Sequence, residues 1–200
     1  MRSDSLSLFA LVLAAGQSQR FGGLKQLATI GKQTLVQRAV REAEAVCGEH
    51  TILVVGNAAE AVHAAAAPLA GFLICNDRYR EGIASSISTA VAAVKDVADG
   101  VLLTLADQPL VDRNHLARLR QQWSLQPQRI VASRYAGIAG VPAIIPAGQF
   151  AGLLALRGDQ GARALISTQA ENVITVDCAN AAIDIDKPSD LINLDGGDYR

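Results

Sequence analysis

The stretch "LFALVLAAGQSQRFGGLKQL", residues 8–27, opens with seven uncharged residues and ends in a turn that carries Gly16, Ser18, Arg20, Gly22, Gly23 and Lys25. A strand exposed on one face would alternate polar and apolar positions, so the nearly unbroken apolar run at 8–14 reads as a strand covered on both faces. A buried strand that feeds a glycine-rich turn is the usual start of a βα unit in an open sheet, where ligands lie beyond the carboxyl ends of the strands. The rest of the chain repeats the pattern. Further strands are expected at "TILVVG" (51–56), "FLIC" (72–75), "GVLLTLA" (100–106), "RIVAS" (129–133), "VPAIIP" (141–146) and "NVITVD" (172–177). Between them, helical spacing appears at 33–46, 58–69, 84–97, 112–124, 147–156 and 160–169, with Asp112 placed to cap the fourth helix. The alternation predicts an α/β fold, a mostly parallel central sheet joined by crossover helices.

Length and composition narrow the function. With 200 residues, half of them apolar, the chain is expected to form one domain, 1–200, with a two-sided core. A net charge of −1 and a charged fraction of 18% give no long-range field to gather nucleic acid or a membrane surface, so any anion must be held by local groups. One Trp and no aromatic/basic interleaving argue against a stacking platform for single strands. Cys47, Cys75 and Cys178 are odd in number, far apart and free of CxxC spacing; they read as small buried residues in a reducing compartment. "MRSDSLSLFALVLAAG" runs into a polar turn without stop-transfer length, which points to a cytoplasmic location. His50, His63 and His115 fall in or beside helices and are expected at the surface.

The loops after the strands carry the chemistry. The turn after the first strand matches neither the Walker spacing nor GxGxxG, because five residues separate Gly16 from Gly22 and Leu24 precedes Lys25. Its parts nevertheless suit a polyphosphate: glycines let backbone N–H groups approach oxygen, and Arg20 and Lys25 supply a fork donor and a point charge. Taken alone, it is equally an ordinary βα turn with two solvated cations. After the fourth strand, Asp107 stands at a carboxyl end, where a carboxylate can hold Mg²⁺ or cap the following turn. In "AAIDIDKPSDL", Asp184 and Asp186 are two apart, so on a strand they would share a face, either solvated or around a cation. "NDRYREGIASSIS" (76–88) offers Asn76, Gly82, Ser85 and Ser86 before a helix N-terminus, and "GDQGAR" offers Asp159 as a helix cap and Arg163 toward a ligand or toward Asp159. Either segment also serves as structural punctuation.

Together these segments resemble the MobA-like nucleotidyltransferase family, most closely its molybdenum cofactor cytidylyltransferase branch. In chain order, "LAAGQSQRFGGLKQL" is similar to LAAGxSxRxGxxKxL, "LADQPLV" to the metal-binding strand end, "GIAGVPAIIP" to the GxxGxP turn, "LRGDQGAR" to GDxGAR and "DIDKPSDL" to DIDTPEDL. Phe21, where Met is frequent, and Lys187, where Thr is usual, are the departures. The resemblance implies a doubly wound, Rossmann-like three-layer domain. It implies that Leu13, Ala14, Ala15, Gly16, Ser18, Arg20 and Lys25 bind the nucleotide, and that Arg20, Lys25 and Asp107 are the catalytic set. Asp107 would hold Mg²⁺, with Asp186, and Asp184 behind it, as second ligand. The acceptor would meet Asn76, Gly82, Ser85, Ser86, Gly140, Pro142, Asp159 and Arg163.

The implied reaction is attack by the terminal phosphate of Mo-molybdopterin on the α-phosphorus of CTP, releasing pyrophosphate. An anion approaches an anion there, so screening by Mg²⁺, Arg20 and Lys25 is the main requirement; the attacking phosphate is already ionised and needs no base. "LAAG" resembles the cytidylyl branch and "LAGG" the guanylyl branch, and the Ala15 methyl narrows the space beside the base, which favours CTP. GTP transfer to the same cofactor, transfer to another small phosphate, and a non-catalytic cofactor chaperone for a molybdenum hydroxylase are the alternatives. A molybdenum hydroxylase is also the expected recipient of the product.

Overall fold

The computed structural model describes residues 6–18, 20–68 and 71–195. In chain order the elements are β1 (Leu8–Leu13), a small ribbon of β2 (Thr29–Ile30) and β3 (Gln33–Thr34), α1 (Leu35–Cys47), β4 (Thr51–Val55), α2 (Ala59–Ala66) and β5 (Phe72–Cys75). They continue with α3 (Ile83–Val94), β6 (Gly100–Leu105), α4 (Arg113–Leu125), β7 (Ile130–Tyr135), β8 (Ile138–Pro146), α5 (Phe150–Leu154), α6 (Ala162–Thr168), β9 (Val173–Asp177) and α7 (Pro188–Asp195). Seven strands form one sheet in the order β5-β4-β1-β6-β8-β7-β9.

Alternation along the strands builds the two faces. Leu8, Ala10 and Val12 of β1 turn to a core shared with α1, α2 and α4, while Leu11 and Leu13 turn to a second core shared with α3, α5 and α6. The result is the expected doubly wound, three-layer α/β fold. Side chains at strong capping positions start two of the helices: Thr34 accepts from Gln37 N at 3.1 Å, and Asp112 accepts from His115 N at 2.9 Å.

The sheet departs from all-parallel at β8, which runs antiparallel to both β6 and β7. Ala136 and Gly137 both have positive φ, 47° and 76°, the mirror-image turn that closes a two-residue hairpin. Gly137 therefore belongs to a strand turn, and Gly140 and Pro142 lie within β8. Other expectations need correction. Gly161, not Asp159, precedes α6, with no side-chain cap. Asp184 and Asp186 are not on a strand but in the coil before α7, held where Ile185 N donates to Asp107 O at 2.9 Å. Cys178 is buried and Cys47 half-buried, but Cys75 is exposed. His63 is exposed and His50 half-buried, stacked on Phe9, whereas His115 is buried. Among the described residues no helix is long and apolar enough to cross a membrane.

Candidate nucleotide site

Strand order brings three carboxyl ends together. Ala14 N donates to Val54 O at 2.8 Å and Ala106 N to Leu13 O at 3.1 Å, so the chain leaves β4, β1 and β6 side by side. Beyond them lies a cavity of about 250 Å³, with Ala15, Gly16, Lys25, Tyr79, Gly82 and Asp107 in its wall.

The glycine loop is shaped by its own polar side chains. Gln26, 3% exposed, donates through Nε2 to Ala14 O at 3.0 Å and Gly16 O at 2.8 Å. Ser18 Oγ donates to Gln26 Oε1 at 3.1 Å and accepts from Lys25 N at 3.3 Å. A loop that must curve around a ligand thus has its inner carbonyls already satisfied, and positive φ at Ser18 and Gly22 (52° and 74°) completes the curve. Gln26 escaped the sequence reading; a lone amide in "LKQL" carries no signal of burial.

At the mouth of the loop, Lys25 Nζ stands 2.5 Å from Asp107 Oδ2 and 3.3 Å from Asp186 Oδ1. Arg20 reaches Asp186 Oδ2 at 3.0 Å. Four groups from three remote parts of the chain therefore meet. Burial alone would lower the Lys25 pKa, but the charges and hydrogen bonds of Asp107 and Asp186 outweigh it and hold the ammonium above its ordinary value. Asp184 touches neither cation; partial burial of its carboxyl and then the charges of Asp107 and Asp186 push its pKa up.

Of the remaining candidates, Leu13, Ala14, Gly82, Ser86 and Asp159 line the cavity. Asn76 and Ser85 serve the wall from behind: Asn76 Nδ2 donates to Ser85 Oγ at 2.8 Å and Ser86 Oγ at 3.0 Å, and Ser85 Oγ donates to Arg78 O and Gly82 O, both at 2.8 Å. Gly140, Pro142 and Arg163 lie outside the cavity; Arg163 borders a separate hollow with Ile138 and Val173. Tyr79 and Ile83, unassigned from sequence, are in the wall.

A divalent cation fits this chemistry. Asp107 Oδ1 is buried without a hydrogen-bond partner, an acceptor left open beside the cavity. Among the described residues no three His, Cys, Asp or Glu side chains are grouped to hold a metal ion. One or two carboxylates completed by phosphate oxygens and water are what Mg²⁺ usually takes.

The MobA-like NTP transferase domain family matches residues 10–173. Among characterised relatives, the purine catabolism protein PucB of Bacillus subtilis is 26% identical over 195 residues, covering 92% of this chain and 93% of PucB. The bifunctional protein GlmU of Bartonella quintana is 29% identical over 133 residues, 65% of this chain, which spans only 30% of GlmU. The crystal structure of Rv0371c from Mycobacterium tuberculosis aligns with a TM-score of 0.82 at 28% identity, over 98% of this chain and 100% of that one. Rv0371c has also been solved as a complex with manganese, aligning with a TM-score of 0.77 at 29% identity over 94% of this chain and 97% of that one.

Proposed function

The chain belongs to the MobA-like NTP transferase family and is a nucleotidyltransferase, and from that premise we propose that it transfers CMP from CTP to the terminal phosphate of Mo-molybdopterin. An oxygen of the acceptor phosphate forms the new bond to the α-phosphorus, the bond from that phosphorus to the β-phosphate bridge breaks, and pyrophosphate leaves. The reading is carried by the meeting of Lys25 and Arg20 with Asp107 and Asp186 beside the glycine loop. Two cations are parked on carboxylates where a triphosphate can displace them.

In this reading Lys25 moves from Asp107 to the phosphates, and Arg20 leaves Asp186 for the outer phosphates. Backbone N–H groups around Gly16 meet the same oxygens, and the Gln26 staple keeps the loop open to them. Asp107 and Asp186 would hold Mg²⁺, which when bound supplies screening of the phosphate charge. Ala15, buried in the cavity wall, supports a pyrimidine over a purine by the bulk of its methyl group.

Pyrophosphate release measured with CTP, GTP, ATP and UTP against loaded molybdopterin tests the proposal. Turnover with CTP and little with the others is expected; a GTP-only enzyme would overturn the nucleotide, and tight cofactor binding without turnover would favour a delivery role to a molybdenum hydroxylase.

A further inference from the structure

The cavity wall draws on loops that the sheet order sets apart. Asp107 follows β6, Ala15 follows β1 and Gly56 follows β4, so the ion cluster and Gly56 stand two strand positions apart, roughly 10 Å at ordinary strand spacing. Gly56 touches the cavity indirectly. A Cβ built on it would fall 2.5 Å from Tyr79 Cβ, 2.7 Å from Tyr79 Cγ and 3.1 Å from Ala15 Cβ. Real Cβ atoms essentially never come as close as the two Tyr79 approaches, and the third is tight. The missing side chain is therefore the seat of Tyr79, which lines the cavity together with Ala15 and Gly82.

Tyr79 is also held from its other neighbours. Its N–H donates to Asn76 O at 3.2 Å, and its carbonyl accepts from Gly82 N at 3.4 Å, closing a 3₁₀ turn over Tyr79–Glu81. Asn76 Oδ1 accepts from Arg78 N at 3.0 Å while its amide grips Ser85 and Ser86, so the turn is tied to the start of α3. The Arg80 guanidinium lies over the ring, 5.6 Å from its centroid. With Arg80 over one face, an aromatic ring held this firmly on Gly56, two strand positions from the strand that Asp107 follows, has its other face and edge left as a stop for a flat ring.

We infer that Tyr79, seated on the bare backbone of Gly56, sets the depth of the nucleobase end of this cavity and selects a pyrimidine. The inference rests on the proposed nucleoside triphosphate reading and adds to it the residue pair that measures the base. The phenol hydroxyl has no part in it; the position of the ring does. Exchange of Tyr79 for Phe leaves selection intact, exchange for Ala opens the floor to a purine, and Gly56→Ala displaces the whole turn, because its Cβ meets Tyr79 at Cβ and Cγ rather than at the movable ring tip.

The test is calorimetric binding of CTP and GTP, with Mg²⁺ present, to the full chain and to Tyr79→Phe, Tyr79→Ala and Gly56→Ala, with melting curves to establish that each variant is folded. Expected are a wild-type preference for CTP, the same preference in Tyr79→Phe, and a fall of the CTP-to-GTP affinity ratio by about tenfold or more in Tyr79→Ala. Gly56→Ala should weaken CTP binding by a similar factor without losing the fold. An unchanged ratio in folded Tyr79→Ala overturns the inference while leaving the nucleotide reading standing. A wild-type chain that binds neither nucleotide overturns the nucleotide reading and the inference with it, and a wild-type preference for GTP overturns the pyrimidine assignment in both.

Discussion

Lys25 Nζ lies 2.5 Å from Asp107 Oδ2, a contact that joins residues 82 apart in the chain, with the two side chains only 14% and 22% exposed. At that depth the pair is shielded enough from water to matter, and removing one partner leaves the other's charge poorly compensated. The ammonium occupies ground that a divalent cation would share with Asp107 and Asp186. Replacement of Lys25 by Met should therefore lower turnover by about 100-fold or more, as loss of a transition-state cation does. The same variant should bind Mn²⁺ more tightly than wild type when no nucleotide is present, read by electron paramagnetic resonance. Unchanged metal affinity would mean that Lys25 does not compete for the position.

Asp107→Asn keeps the volume of the side chain and the backbone carbonyl that accepts from Ile185 N. The fold should survive, with a melting temperature within a few degrees of wild type. Turnover should fall by about 100-fold or more, and the divalent-ion concentration for half-maximal activity should rise, because the buried open acceptor Oδ1 belongs to this carboxylate. Near-normal activity with an unchanged metal requirement would place the metal elsewhere.

Asp186 and Asp184 are distinguished by what they touch. Asp186 bridges Arg20 and Lys25, at 3.0 and 3.3 Å, whereas Asp184 reaches neither. Asp186→Asn should therefore lower kcat/KM for the nucleotide by about tenfold more than Asp184→Asn does. Equal effects in steady-state kinetics would show that the second acidic position is shared.

Part of the fold and site is legible in the chain. The run at 8–14 had to be a central strand because it is apolar on both faces, and β1 is the third of seven strands. Arg20, Lys25 and Asp107 stand out in the chain because charge is scarce and each follows a buried strand, and folding brings them together with Asp186. The antiparallel β8 was hidden because its turn begins with Ala136, a residue that rarely takes positive φ, so the hairpin is imposed by the strands it joins. The coil at 184–186 was hidden because its shape comes from docking on Asp107, not from local alternation. His115 looked like a surface residue of an amphipathic helix; its partner, Ser133, lies on β7 and only folding brings the two together.

That buried histidine predicts a pH dependence of stability. Ser133 Oγ donates to Pro142 O at 2.6 Å, so it must accept from His115 Nε2 at 2.7 Å, and the ring is the neutral tautomer with Nδ1 facing Arg118 Nη2 at 3.3 Å. Burial, and then the Arg118 charge, push the imidazole down to about 4, with Asp112 opposing them weakly. Above about pH 6.5 the ring is neutral folded or unfolded and contributes no slope. As pH falls from there to about 4, the unfolded chain takes up a proton that the folded chain refuses, so stability drops by up to about 1.4 kcal/mol per pH unit, on the order of 3 kcal/mol in all. His115→Gln, whose amide nitrogen can still donate to Ser133, should flatten that part of the curve in urea melts between pH 7 and 4.5. A variant that loses stability over this range as steeply as wild type would show that other groups carry the acid sensitivity.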